Sequence, residues 1–131
     1  SCSDKMAEAV KAQFEEEVAK MKQLEKDREK YINNRQQLES QLTENTLVKE
    51  EMDLLDDEAT VYKLIGAALV KQDLTEARAN VEKRIEYINN EMKRVEDALS
   101  DFGTKQNAQR EKLMVLQEKF KKAFGVPDGP K

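Results

Sequence analysis

The second half of the chain carries apolar residues at alternating steps of three and four for about seven heptads, a pattern that only a pairing helix satisfies. One row runs Leu74, Val81, Ile88, Val95, Phe102, Gln109, Leu116 and Ala123. The other runs Arg78, Ile85, Met92, Leu99, Gln106, Leu113 and Phe120. Asp73, followed three residues later by Glu76, supplies an N-cap. Gly125 and Pro127 stop the pattern. The spacing predicts a helix over 74–124 and a flexible tail over 125–131. The seam softens at Gly103, Gln106 and Gln109, so the part beyond Gly103 is expected to open most readily.

The first half has the same period but a less regular seam. Met6, Val10, Phe14, Val18, Met21, Leu24, Tyr31, Leu38, Leu42, Val48, Met52 and Leu55 recur at helical steps, with Arg28, Arg35 and Asn45 filling seam positions between them. A helix over 6–55 follows, with Ser1–Lys5 disordered before it. The opening steps of four depart from a heptad and imply a local change of winding. Glu50 to Glu58 then holds six acids and no base. Negative charge opposes the dipole at a helix C-terminus, so the helix should give out there, leaving a solvated acidic collar without a binding role.

Between the arms, Ala59–Gln72 reads differently. Thr60–Ile65 is rich in β-branched and aromatic residues, Gly66-Ala67 offers a turn, and Ala68–Gln72 follows. Glycine at the first central position suits a type II′ turn, so 60–72 is expected to be a β-hairpin pairing Ile65 with Ala68 and Leu64 with Leu69. Both faces are apolar near the turn. A lone hairpin of this kind is marginal in water and has two open edges. Other chains are therefore expected to complete it. Two arms of nearly equal length, about 75 Å each at 1.5 Å per residue, then fold back antiparallel, setting Leu55 near Leu74 and Met6 near Ala123.

Composition narrows the function. Charged residues make up 38% of the 131 positions and the net charge is −4, which disfavours nucleic acid and anionic membranes as partners. Histidine is absent and Cys2 is the single cysteine, so no imidazole base, disulfide framework or zinc site is expected, and no cofactor. The four glycines are scattered and form no phosphate loop. The chain reads as a non-enzyme. With no signal-like or membrane-spanning run visible, a cytoplasmic protein is expected.

At the centre the residues become specific. QLTEN (41–45), VKEEMDLLDD (48–57), VYKLIG (61–66), LVKQDL (69–74), EAR (76–78) and KRIEYI (83–88) closely resemble the corresponding block of β-type prefoldin subunits. The resemblance covers about half of the chain; the arms share mainly period and length. The family usually has proline after the turn glycine, where Ala67 stands here.

The resemblance implies a mostly α fold, a long antiparallel two-helix coiled coil joined by one β-hairpin that enters an intersubunit β-barrel. It implies a hexamer of two α-type and four β-type subunits, so the partners would be two α-type and three further β-type chains. Its implied activity is ATP-independent holding of unfolded actin and tubulin and their delivery to the cytosolic group II chaperonin. On that reading Val61, Tyr62, Leu64, Ile65, Gly66, Leu69 and Val70 build the assembly surface. Met6, Val10, Phe14, Phe120 and Phe124, gathered at the far end of the arms, would contact the client. A different reading is a structural coiled-coil tether that self-associates through its hairpin; a tether needs no accessible apolar residues at its ends.

Overall fold

The computed structural model describes residues 1–125 as α1 (Cys2–Asp53), β1 (Val61–Ile65), β2 (Ala68–Gln72) and α2 (Leu74–Phe124). The tail expected beyond Gly125 lies outside the described residues. By packing, the chain divides into one unit of Ser1–Tyr31 with the residues from Asp97, and a second of Ile32–Glu96.

Helix α2 begins as its sequence dictates. The Asp73 carboxylate accepts the Glu76 N–H at 3.3 Å and its carbonyl accepts the Ala77 N–H at 2.9 Å. Gly125 closes the helix at φ 64°, the left-handed conformation that glycine adopts without a Cβ penalty. Helix α1 starts earlier than the apolar pattern indicated. Ser1 Oγ accepts the Asp4 N–H at 3.3 Å. This serine cap, rather than apolar periodicity, orders the residues expected to be disordered.

The winding of α1 also corrects the sequence reading. Its seam runs Ala7, Val10, Phe14, Glu17, Met21, Leu24, Arg28, Tyr31, Arg35, Leu38, Leu42, Asn45, Lys49 and Met52, an unbroken alternation of three and four. All of these except Arg28 and Tyr31 are buried or half-buried. Met6 is 68% exposed whereas Ala7 is 5% exposed, so the opening steps of four are not the packing row. Val48 and Leu55 likewise face solvent, because Asn45, Lys49 and Met52 hold the seam and α1 ends at Asp53. A search for apolar residues misses the seam places held by Ala7, Glu17 and Lys49, whereas Arg35 and Asn45 are half-buried in the seam where their spacing put them.

The helices pair antiparallel within each unit. In the first, Glu17 meets Gln109, and the Tyr31 ring lies 5.3 Å from that of Phe102. In the second, Arg35 bonds Glu96 at 3.2 Å, while Arg78 reaches Met52. As numbers rise along α1, those of its α2 partners fall. The second unit buries Leu38, Leu74, Ala77, Val81, Ile88 and Val95.

Arg78 explains how α1 ends. The last turn of α1 holds no basic residue of its own. The Arg78 guanidinium donates to the Met52 carbonyl at 2.8 Å and the Leu55 carbonyl at 3.0 Å. Asp53 and Asp57 lie 3.9 and 4.0 Å from the same side chain. A cation from α2 thus gives the Met52 carbonyl, which also accepts the Leu55 N–H, a second donor, partners the Leu55 carbonyl and offsets the adverse charge at the helix end. The acidic stretch is more than a solvated collar.

Candidate assembly and client-binding surfaces

The hairpin has the register its sequence implies: Val61 opposite Gln72, Tyr62 opposite Lys71, Lys63 opposite Val70, Leu64 opposite Leu69 and Ile65 opposite Ala68. Gly66 sits at φ 61°, and no non-glycine residue among those described has positive φ, so Ala67 takes the ordinary second position of a type II′ turn. Proline is not required there.

Alternation sorts the side chains. Val61, Ile65, Ala68 and Val70 share one face, and Tyr62, Leu64 and Leu69 the other. Tyr62, Leu64, Ile65, Leu69 and Val70 are each between 46% and 69% exposed; only Val61 among the apolar assembly candidates is half-buried. The sheet has two strands, so each offers an unpaired outer edge. Covering these five half-exposed side chains would contribute about 1 kcal/mol each, or about 5 kcal/mol per hairpin.

Four apolar residues outside the candidate set extend this surface by sequence: Leu47, Val48, Leu54 and Leu55 are all exposed. Val48 and Leu55 had been assigned to the seam; a strict heptad through Leu38, Leu42 and Met52 would have freed them. An open groove of about 230 Å³ lies between hairpin and helices, with Val48, Met52, Val61, Tyr62, Leu64 and Val81 in its lining.

The distal candidates divide between seam and solvent. Phe14 and Phe120 are half-buried and share a cavity of about 340 Å³ with Lys11, Glu15 and Gln117. Phe120 is tilted against Phe124 with ring centroids 4.4 Å apart. Phe124 itself is 48% exposed and Met6 more so, whereas Val10 is half-buried. Met114 and Val115, which the seam pattern passes over, are also exposed on α2.

Below these residues the seam turns polar. Gln109 Nε2 donates to the Glu17 main-chain carbonyl at 2.8 Å and to its Oε2 at 2.6 Å. Lys20 Nζ donates to Glu17 Oε1 at 3.1 Å. Both oxygens of this buried carboxylate are therefore partnered. The Gln109 bond first, then Lys20, hold the Glu17 carboxyl below its ordinary value of 4.5.

The described residues thus comprise two long helices that pair antiparallel within each unit and a two-stranded hairpin with exposed apolar side chains on both faces. Residues 15–121 match the family model described as prefoldin subunit. The chain is 56% identical over 109 residues to a probable prefoldin subunit 6 of Caenorhabditis elegans, a match covering 83% of this chain and 86% of the relative. It is 50% identical over 124 residues to prefoldin subunit 6 of Homo sapiens, covering 95% and 96% of the two chains. Its fold is similar to the crystal structure of the prefoldin beta subunit from Thermococcus strain KS-1, with a TM-score of 0.54 at 23% identity over 88% of this chain and 95% of that one. The chain belongs to the prefoldin family of chaperone subunits. No helix among the described residues is long and apolar enough to cross a membrane.

Proposed function

We propose that the chain is one β-type subunit of a hexameric prefoldin that holds unfolded polypeptides without ATP. Its hairpin joins those of two α-type and three further β-type subunits in a shared β-barrel. Its clients include actin and tubulin chains, which it passes to the group II chaperonin of the cytosol. The observation that carries this reading is the hairpin: apolar on both faces, unpaired on both edges, and exposed. Such a surface is stable in water only when neighbours cover it.

Client holding rests on the distal residues. An unfolded chain has no fixed shape, so its holder needs apolar contacts that are accessible and adaptable. Met6 and Phe124 meet the first requirement, and Phe14 and Phe120 border an open apolar cavity. Each contact is weak, and several arms together supply avidity.

The test is light scattering of diluted unfolded actin in the presence of hexamer. Replacing Phe14, Phe120 and Phe124 together by Ser should leave the hexamer intact and weaken suppression of aggregation about twofold to fivefold, the five unaltered subunits supplying the rest. Undiminished suppression by an intact mutant hexamer would mean that these residues serve only the coiled coil.

A further inference from the structure

Glu17, Gln106 and Gln109 are the buried polar side chains among the described residues, and all three belong to the distal unit. Glu17 and Gln109 stand 92 residues apart in sequence, yet Gln109 places both amide hydrogens on Glu17. Here the helices are joined by a buried hydrogen-bonded pair of side chains, whereas the other cross-helix bonds, Arg35 to Glu96 and Arg78 to the Met52 and Leu55 carbonyls, are exposed or part-buried and belong to the second unit.

The surroundings reinforce the contrast. Open cavities of about 570 and 430 Å³ flank the pair, and Ala108 borders both. Water thus has access on each side. When the helices part, an apolar layer loses burial outright, whereas Glu17 and Gln109 exchange their mutual bonds for bonds to water. When the helices close, a buried amide or carboxylate without its partner is penalised, so the pair selects one closed arrangement.

We propose that Glu17 and Gln109 form a polar clasp that lets the distal helix pair open at low cost and reclose in one arrangement. Lys20 completes the clasp from α1, three residues after Glu17. Lys112 stands three residues after Gln109 and adds favourable charge at Glu17, with Glu16 on α1 and Glu111 on α2 as the neighbouring acids. The clasp lies between Phe14 and Met21 in the α1 seam. Resting on the client-holding reading above, opening it would free Phe14 and Phe120 for an unfolded chain.

Hydrogen exchange on the fully assembled complex tests the clasp itself. Glu17→Leu with Gln109→Leu should slow exchange in 10–24 and 106–120 about tenfold, because an apolar layer replaces the clasp. Glu17→Ala alone should speed it severalfold, because Gln109 keeps its bond to the residue-17 main-chain carbonyl but loses its bond to the carboxylate.

Acidification supplies a signature that simple packing lacks. The depressed Glu17 carboxyl contributes stability that is present above its ordinary value and lost as pH falls through its lowered one. Opening should therefore rise on acidification in the parent and not in the double leucine variant. Unchanged or faster exchange in the double leucine complex, or opening of the parent that does not rise on acidification, would overturn the clasp. Slowed exchange with unimpaired client holding would keep the clasp and overturn only its link to clients.

Discussion

A chain carrying Leu64→Asp should fail to enter the hexamer while losing almost nothing as an isolated chain. Leu64 is 67% exposed, so aspartate there meets water and should change stability by no more than about 0.5 kcal/mol. In the proposed assembly the same position would become an apolar contact, where an unpaired charge costs several kcal/mol. Association should weaken by at least about a hundredfold, which corresponds to about 3 kcal/mol. Val70→Pro should reach the same end by another route. Val70 faces Lys63, two pairs from the turn. The pair flanking a two-residue turn exchanges hydrogen bonds and alternate pairs repeat this, so the Val70 N–H points inward to Lys63. Proline removes that donor and undoes the hairpin itself. Size-exclusion chromatography with the partner subunits and circular dichroism of the arms check both variants. Intact hexamers from both would remove the hairpin from assembly.

The second large effect concerns Arg78. Arg78→Met keeps a long apolar stem but deletes the donor to the Met52 and Leu55 carbonyls. These carbonyls lie where α1 ends ahead of the hairpin, and Asp57 loses its nearby cation, whereas Asp53 keeps Lys49 at 3.3 Å. A charged bond to a partly buried acceptor contributes about 2 kcal/mol, and water can replace some of it. Amide exchange across the last turn of α1 should accelerate about tenfold to thirtyfold, a range equivalent to 1.4–2 kcal/mol. The distal unit should be unaffected, since changes at distant sites act independently. Equal acceleration in both units would mean that Arg78 supports the whole helix pair rather than one helix end.

Much of the fold was legible because α2 is regular in every respect that sequence reports. Its apolar row, Asp73 cap and terminal Gly125 agree, and the hairpin register follows from one glycine and a two-residue turn. Helix α1 was read less well. Its heptad is continuous, but several seam places hold residues that do not look like a seam. Ala7 is small, Lys49 is charged, and Glu17 is tolerated only because Gln109 and Lys20 satisfy it. An apolar search therefore moved to the neighbouring Met6, Val18 and Val48. Polar partners from a distant segment leave no local trace. For the same reason the Arg78 cap was invisible: Arg78 fits the α2 period, while its bonds lie on α1.

The surfaces followed the same division. The hairpin candidates were legible because apolar residues at period two, with nothing in the chain to cover them, describe an exposed sheet. Phe124 was legible from its place beside the seam at the helix end. Leu47, Leu54, Met114 and Val115 were not, since a single apolar residue off the seam is ordinary on any protein surface.

Native mass measurement of the chain, alone and after mixing with α-type and β-type partner subunits, tests the central claim most directly. A hairpin that is complete only in company predicts a complex of six chains containing one copy of this one, formed when the partners are present. A chain that keeps its isolated mass in their presence, or associates only with itself, would contradict it.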